Sequence, residues 1–268
     1  MILNYKLLGN AEQPAIIILH GLFGMLDNWQ SIGRQLSDQY AVWLIDQRNH
    51  GKSPHSLTFD YHTLSDDLAD FFDQHGLQQA ALLIGHSMGG KVAMRFAVEH
   101  STRIARLAIA DIAPKDYAVT GHDSIFRALF DIDITRLTSR AEAETLFAQQ
   151  IDDEATYRFL LKNLTRNTDG SYAWKFNFEA IYYNYTEIVG NPLGRFDRYD
   201  RPTLFLKGGN SPHYIALPKD EATIQQYFPQ SRIEIIDNAG HWIHAEQPDA
   251  FVAAIRAFLT VPFRLGHE

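Results

Sequence analysis

The chain contains no cysteine, no long apolar run and comparatively few basic residues. Without cysteine, disulfides, thiolate metal sites and a cysteine nucleophile are all excluded. No apolar run approaches the roughly 20 residues that a membrane-spanning helix needs. The 24 lysines and arginines are outnumbered by 32 aspartates and glutamates, which gives a formal charge of −8. This acidic balance argues against nucleic-acid partners and against stable membrane association.

The length and the amino-terminal residues favour one soluble enzyme domain. A chain of 268 residues is long enough for a large α/β domain that carries an insertion. The first apolar segment, residues 15–19, is too short and too far inside the chain to be the core of a signal peptide. We therefore predict a cytoplasmic protein, and the sequence leaves open whether it is a monomer or a homodimer.

Apolar and amphipathic segments alternate through the first 111 residues. Continuous apolar runs indicate strands that are covered on both faces, and helical spacing of apolar residues indicates the helices between them. Such an alternation predicts a mostly parallel, doubly wound sheet with right-handed crossovers. The predicted strands are 15–19, 41–45, 80–84 and 104–110, and the predicted helices lie near 28–37, 61–75 and 91–100.

The alternation stops after Asp111 and resumes near residue 203. Between these points the sequence shows helical patterns and no buried strand. We therefore predict a core domain formed by residues 1–117 and 199–268, with a helical cap at 118–198. The cap helices are predicted near 123–130, 139–150 and 153–164, the returning strands at 203–207 and 233–236, and the last helix at 248–259.

The most informative motif is Gly-x-Ser-x-Gly at residues 85–89, between a predicted strand and a predicted helix. A serine on such a tight turn is forced outward, and the flanking glycines let the helix pack back onto the strand. This context predicts that Ser87 is a catalytic nucleophile.

A serine hydroxyl needs a neighbouring base, and His241 follows the last predicted strand by a short loop. Loops at the carboxyl ends of parallel strands share one edge of the sheet, which predicts that His241 and Ser87 lie together. His244 is the alternative base. His86 is adjacent to the nucleophile, and we expect a structural role or a place in the pocket wall.

The acid that orients the base is less obvious, because Asn210 stands where an aspartate is expected after the strand at 203–207. An amide cannot stabilise an imidazolium as a carboxylate does. We predict that Asp111, at the end of the preceding strand, is the acid, and Asp220 is the remaining candidate.

The oxyanion requires preorganised donors, which such folds take from the main chain. The amides of Met88 and Leu22 are the candidates, and Phe23 is a candidate pocket wall. The turn at 46–53 ends in Gly-Lys-Ser but lacks the first glycine of a phosphate loop, so it is predicted to brace the oxyanion loop. The histidines lack metal-ligand spacing, and we predict neither a metal nor a cofactor.

Aromatic residues are concentrated late in the predicted cap, where seven of the fourteen residues at 172–185 are aromatic. They either form the core of the cap or wall an acyl-binding pocket over Ser87. The tentative pocket residues there are Trp174, Phe178 and Tyr182, and Trp242 beside the predicted base is another.

Taken together, these motifs resemble the α/β-hydrolases, and specifically the YbfF-type bacterial esterases and their eukaryotic mitochondrial relatives. The resemblance implies the α/β-hydrolase fold with a helical lid between strands 6 and 7, and a Ser-Asp-His triad whose acid follows the sixth strand. The motifs are H-G-L-F-G at 20–24, R-N-H-G-K-S at 48–53, G-H-S-M-G-G-K at 85–91, D-I-A-P at 111–114, G-G-N-S-P at 208–212 and G-H-W at 240–242.

The resemblance also implies esterase activity, with acyl-CoA thioesters among the substrates of the family. We predict a serine hydrolase that acts on a small acyl ester or thioester through an acyl-enzyme. Two alternatives stay open: a carbon–carbon bond hydrolase or lyase of the menaquinone or aromatic-degradation type, and a non-catalytic ligand-binding member of the fold. Lys91, one helical turn after Ser87, is either a packed lysine or a contact for a phosphorylated substrate.

Overall fold

The computed structural model describes residues 1–260, and its central feature is a seven-stranded sheet. The strand order is β1-β3-β2-β4-β5-β8-β9. The edge strand β1 pairs antiparallel with β3, and the other neighbours in this sheet are parallel. The strands are β1 Tyr5–Leu8, β2 Ala15–Leu19, β3 Ala41–Ile45, β4 Leu82–His86, β5 Leu107–Ala110, β6 Leu164–Arg166, β7 Tyr172–Trp174, β8 Thr203–Gly208 and β9 Ser231–Ile236.

Helices cover both faces of the sheet. Five of the α-helices in the described residues belong to the segment inserted between β5 and β8. Their bounds are α1 Gln30–Leu36, α2 Tyr61–Gln74, α3 Met88–Glu99, α4 Asp123–Asp131, α5 Arg140–Ala148, α6 Glu154–Leu161, α7 Phe178–Tyr183, α8 Tyr185–Val189, α9 Glu221–Tyr227, α10 Ile243–Glu246 and α11 Pro248–Thr260. Short 3₁₀ turns lie at Leu26–Trp29, Ser101–Arg103, Val119–His122 and Ile134–Arg136.

Strand β3 shows why its apolar run is continuous. Ala41, Trp43 and Ile45 belong to one hydrophobic core, whereas Val42 and Leu44 belong to the other, because successive side chains of a strand point to opposite faces. All five residues are buried, as expected for a strand covered on both faces.

The carboxyl ends of the central strands create the edge on which the site is built. Strand β4 ends at His86 beside Ala110 of β5, and Ala110 pairs in turn with Leu206 of β8. The residues that follow these strands therefore meet at one edge of the sheet. This edge brings Ser87 close to Asp111.

The segment between β5 and β8 leaves the sheet and forms helices α4 to α8 together with the antiparallel hairpin β6–β7. Counted along this chain, the insertion lies between the fifth and sixth strands of the sheet, because the described residues form seven sheet strands. The hairpin is short and mostly half-buried, which explains why the sequence showed no buried strand there. The boundaries at residues 118 and 198 stay a prediction.

Several predicted boundaries agree with the structure and a few do not. Strands β2 and β3 have the predicted bounds. The strands predicted at 80–84 and 104–110 begin at Leu82 and Leu107, because Ala80 and Ile104 form only an isolated bridge. Strand β1 was not predicted, since it is short, half-exposed and not a continuous apolar run. Within residues 1–260, no helix is both long and apolar enough to cross a membrane.

Candidate active site

Ser87 lies on the tight turn between β4 and α3, with a backbone φ of +52°. This left-handed conformation is unfavourable for a residue with a side chain, and it persists because the surrounding turn fixes it. The flanking glycines are required by close contacts: a Cβ on Gly85 would lie 2.2 Å from the carbonyl oxygen of Gly89, and one on Gly89 would lie 2.4 Å from that of His20.

Asp111 and His241 form a hydrogen bond of 2.9 Å between the carboxylate Oδ2 and the imidazole Nδ1. Asp111 is completely buried and follows β5 with a φ of +48°. Its Oδ1 accepts a 3.0 Å hydrogen bond from the Gly208 amide, and its Oδ2 accepts one from the Ser211 hydroxyl. Asn210 is exposed. Of the two loop positions weighed from the sequence, the one that contacts His241 is therefore Asp111.

The His241 imidazole is held between an acid and an aromatic ring. It stacks on Tyr214 with the ring centroids 3.6 Å apart and the planes 14° from parallel. Burial lowers the pKa of His241, which favours a neutral ring. Burial also raises the pKa of Asp111, although the donors on its carboxylate oppose this. A neutral ring that donates from Nδ1 to Asp111 leaves Nε2 free to accept a proton.

His86 holds the main chain of His241 in place. Its Nε2 lies 2.8 Å from the carbonyl oxygen of His241, so it donates its N–H to that oxygen. Burial lowers the pKa of His86 to about 3, so the ring is neutral and its Nδ1 carries no proton. His86 thus fixes the main chain of residue 241.

The loop that follows β2 is braced by the turn at 46–53, as the sequence predicts. The Phe23 amide donates to His50 Nε2 over 3.1 Å, and the Leu26 amide donates to Asp46 Oδ1 over 2.7 Å. Because His50 engages the amide of Phe23, the neighbouring amide of Leu22 remains the candidate oxyanion donor. Met88 begins α3, where the first amides have no partner within the helix.

A cavity of about 480 Å³ opens beside Ser87 and His241. Three of the six residues tentatively assigned to the pocket, Phe23, His86 and Trp242, line this cavity, and so does the oxyanion candidate Leu22. Their positions are those expected of a pocket around the predicted nucleophile.

The structure corrects the assignment of Trp174, Phe178 and Tyr182 to the pocket, because none of the three is among the residues that line this cavity. Trp174 stacks on Phe176 at 5.0 Å, while Phe178 and Tyr182 pack around Phe126. Trp174 and Phe178 are half-buried and Tyr182 is exposed, so the three form part of an aromatic cluster of the inserted segment. Packing within the segment is one of the two interpretations that the sequence left open.

The alternative candidates have other contacts. His244 stacks on Trp29 at 3.9 Å, and Asp220 forms an ion pair with Lys115. Lys91 is 2% exposed and donates to the carbonyl oxygens of Val189 and Gly190. Within residues 1–260, the structure brings together no group of three His, Asp or Glu side chains that could hold a metal ion.

Three site residues escaped the sequence analysis: Ser211, Tyr214 and Asn163. Ser211 was visible in the G-G-N-S-P motif, but attention there fell on Asn210. Asn163 is fully buried in the inserted segment, and its Nδ2 donates to the carbonyl oxygen of Phe23 over 2.7 Å. These contacts join positions that are far apart in the chain, so no local sequence pattern predicts them.

Comparisons with known proteins agree with this architecture. A model of the alpha/beta hydrolase fold family matches residues 14–248. The chain is 39% identical over 244 residues to Escherichia coli esterase YbfF, which covers 91% of this chain and 92% of that protein. It is 37% identical over 265 residues to mouse sn-1-specific diacylglycerol lipase ABHD11, covering 96% and 85% of the two chains.

A solved structure described as a marine microorganism esterase superposes with a TM-score of 0.92 at 41% identity, and the match covers 96% of this chain and 98% of that one. The family model and these relatives each span most of the sequence. The chain therefore belongs to the α/β-hydrolase fold family, among its YbfF-type esterases, and it is a hydrolase.

Proposed function

We propose that this hydrolase cleaves carboxylic esters or thioesters through a triad of Ser87, His241 and Asp111. The observation that carries the proposal is the 2.9 Å contact between Asp111 and His241 at a cavity that Ser87 also lines. A strained serine, a neutral imidazole and a buried carboxylate are the three groups that nucleophilic acyl transfer requires.

In this mechanism Ser87 attacks the acyl carbonyl while His241 Nε2 accepts the hydroxyl proton. Asp111 orients the ring through Nδ1 and stabilises the imidazolium that forms. The main-chain amides of Leu22 and Met88 hold the oxyanion, and His241 then returns the proton to the leaving group. Water activated by His241 releases the acid from the acyl-enzyme. We assign the segment 118–198 as the lid over this reaction.

We call the 480 Å³ cavity beside Ser87 the large cavity. The charge of its lining favours esters over the carboxylate-bearing substrates of the carbon–carbon bond hydrolases. The residues that line it within the described chain include Asp152 and Asp153 and no lysine or arginine. A substrate carboxylate would find no fixed cation to pair with there. An uncharged acyl ester needs no cation, so it can bind there without leaving a charge unpaired.

A thioester with a phosphorylated leaving group is supported by the neighbouring groove. This groove shares Phe159 and Trp242 with the cavity. Its four basic side chains outnumber its three acidic ones; they are Arg140, Arg158, Lys162 and Lys175 against Asp27, Asp153 and Glu246. Cationic side chains attract phosphates, and this attraction weakens with salt. We expect kcat/KM for acetyl-CoA to fall with ionic strength, and kcat/KM for p-nitrophenyl acetate to stay nearly constant.

The decisive experiment is hydrolysis of p-nitrophenyl butyrate by Ser87→Ala. We expect kcat to fall at least about 10⁴-fold, because the nucleophile is lost. Ser124→Ala is the matched control, since Ser124 lines the same cavity but is exposed, and we expect it to lose at most about threefold. A fluorophosphonate probe is expected to label the wild type and not Ser87→Ala. Undiminished turnover in Ser87→Ala would refute the proposed mechanism and indicate a reaction that does not use this serine. A wild type that neither hydrolyses the ester nor reacts with the probe would indicate a binding role.

A further inference from the structure

A second, smaller cavity of about 50 Å³ also borders Ser87. It shares Leu22, Ser87, His122 and Tyr214 with the large cavity, so the serine borders both cavities. Every residue that lines the small cavity is buried or half-buried. The rest of its lining consists of Tyr61, Met88, Lys91, Ile112, Tyr117, Tyr185, Ile188 and Val189.

The part of the small cavity's wall that α8 supplies is fixed by hydrogen bonds to the core. The Tyr61 hydroxyl donates to the carbonyl oxygen of Ile188 over 2.5 Å. Lys91 Nζ donates to the carbonyl oxygens of Val189 and Gly190 over 2.8 and 2.6 Å, and it also lies 4.6 Å from the centroid of the Tyr117 ring. Enlarging this cavity would break buried charge-assisted hydrogen bonds, so its size is well defined.

The large cavity has a different character. It reaches the exposed residues Gly121, Ser124, Asp152 and Asp153, and it therefore communicates with solvent. A serine hydrolase must release its leaving group and admit water while the acyl group is still attached to the serine. The open side suits the leaving group and the water, whereas the side without exposed residues suits the part of the substrate that stays bound.

We propose that the small cavity binds the acyl chain and limits the enzyme to short acyl groups; this rests on the proposed serine-hydrolase function. At roughly 10–15 Å³ for each group of water size, a cavity of 50 Å³ holds about three to five non-hydrogen atoms beyond the carbonyl. The substrate class is therefore esters or thioesters of short acids, with an upper limit between about butyrate and hexanoate and a leaving group that occupies the large cavity.

The test compares p-nitrophenyl acetate, butyrate, hexanoate and octanoate at a fixed leaving group. We expect kcat/KM to rise about two- to fourfold for each CH₂ group up to butyrate, as apolar area is buried. It should then fall at least tenfold between butyrate and octanoate, because the longer chain no longer fits. An optimum at octanoate would overturn the proposal.

Two isoleucines provide a matched pair for locating the acyl chain. Ile188 lines the small cavity and Ile125 lines the large one, and both are buried in the same hydrophobic core. We expect Ile188→Ala to raise the octanoate-to-butyrate ratio of kcat/KM about tenfold, and Ile125→Ala to leave this ratio within twofold. The opposite pattern would place the acyl chain in the large cavity and refute the assignment.

The readout separates this proposal from loss of folding and from failure of the mechanism. A ratio of kcat/KM values for two substrates does not depend on the fraction of enzyme that is folded. Should Ile188→Ala not fold, Ile188→Val and Ile125→Val form a milder pair, with an expected two- to threefold change for Ile188→Val only; no change for that variant would also count against the proposal. Ser87→Ala serves as the separate control, since activity in that variant would refute the mechanism rather than the cavity assignment.

Discussion

Asn163 in the inserted segment donates a hydrogen bond of 2.7 Å to the carbonyl oxygen of Phe23, although the two residues are 140 positions apart. Asn163 follows α6, and Phe23 lies next to the candidate oxyanion donor Leu22. The geometry of the predicted oxyanion loop therefore depends on the segment that covers it. A lid variant need not touch substrate to alter catalysis.

We expect Asn163→Ala to lower kcat/KM for p-nitrophenyl butyrate about tenfold, because it leaves the Phe23 carbonyl without its donor. The buried, unpaired carbonyl should also cost about 2 kcal/mol of unfolding free energy. The matched control is Asn184→Ala, which removes a 2.9 Å hydrogen bond from the inserted segment to the Leu57 carbonyl. The control should lose stability but less than twofold in kcat/KM. Equal activity losses in the two variants would indicate general loosening of the lid.

His50 is predicted to act as a positioning residue for the same loop. Its Nδ1 lies 2.9 Å from the Arg48 carbonyl and therefore donates, which leaves Nε2 to accept from the Phe23 amide. This contact holds Phe23 at a φ of +58°. We expect His50→Ala to reduce kcat about ten- to a hundredfold with little change in KM, since misplaced donors stabilise the transition state less.

His50→Gln should recover part of the lost kcat, because its side-chain oxygen can accept the same amide hydrogen. Burial lowers the pKa of His50 to about 3, so the pH dependence of kcat above pH 5 should keep its wild-type shape in His50→Gln. His62→Ala, at a largely exposed histidine, is the control and should match the wild type. An altered pH profile in His50→Gln would mean that His50 titrates during catalysis.

The assignment of the acid is tested at three positions in the two loops that follow β5 and β8. Asp111→Asn should lower kcat about 10⁴-fold, because an amide favours the wrong tautomer of His241. Ser211→Ala removes one donor to Asp111 and should cost about tenfold. Asn210→Ala, at an exposed position, should lose less than twofold. A larger loss for Asn210→Ala than for Asp111→Asn would reverse the assignment.

Stability is expected to fall as the pH drops below about 6.5. Burial lowers the pKa of His20 to about 4 and those of His50 and His86 to about 3. In the unfolded chain each imidazole binds a proton near pH 6.5, whereas the folded protein binds none of these three until the pH is much lower. The unfolded state therefore gains protons between pH 6.5 and 4, and each histidine removes up to about 1.4 kcal/mol of stability per pH unit.

Asp111 acts in the opposite direction, because its raised pKa of about 6 lets the folded state bind a proton before the unfolded state does. One carboxyl does not offset three imidazoles, so the net loss of stability on acidification remains. Urea unfolding at pH 7.0, 6.0 and 5.0 measures this slope. His50→Gln removes one of the three histidines, so the free energy of unfolding should depend less steeply on pH, by up to about 1.4 kcal/mol per pH unit. A free energy of unfolding that is constant from pH 7.0 to 5.0 in the wild type would contradict the argument.

The sequence predicted those parts of the fold that follow from local patterns. Strands such as β2 and β3 are continuous apolar runs, and Ser87 lies in a motif that demands a strand, a turn and a helix. The rule that parallel strands end at one edge predicted that Asp111 and His241 lie close together, and their side chains are in contact. Each of these inferences uses only a few neighbouring residues and a general rule of sheet topology.

Contacts between distant positions were not predictable in this way. The spacing of Phe178 and Tyr182 indicates an apolar helix face, but it does not say whether that face meets Phe126 or a substrate. Strand β1 is held by pairing with β3 rather than by its own apolar pattern. Asn163 and Ser211 acquire their roles only when the chain is folded, since polar residues in loops carry no periodic signal.

The bonds of Lys91 to Val189 and Gly190 anchor one end of the inserted segment to the core. Beside the large cavity, the rings of Phe159 and Trp242 lie with their centroids 5.5 Å apart, and both side chains are half-buried. Rotating two aromatic rings costs far less than extracting a buried ammonium from its carbonyls. Since the large cavity and the neighbouring groove share residues 159 and 242, we expect leaving groups and water to pass between these two side chains.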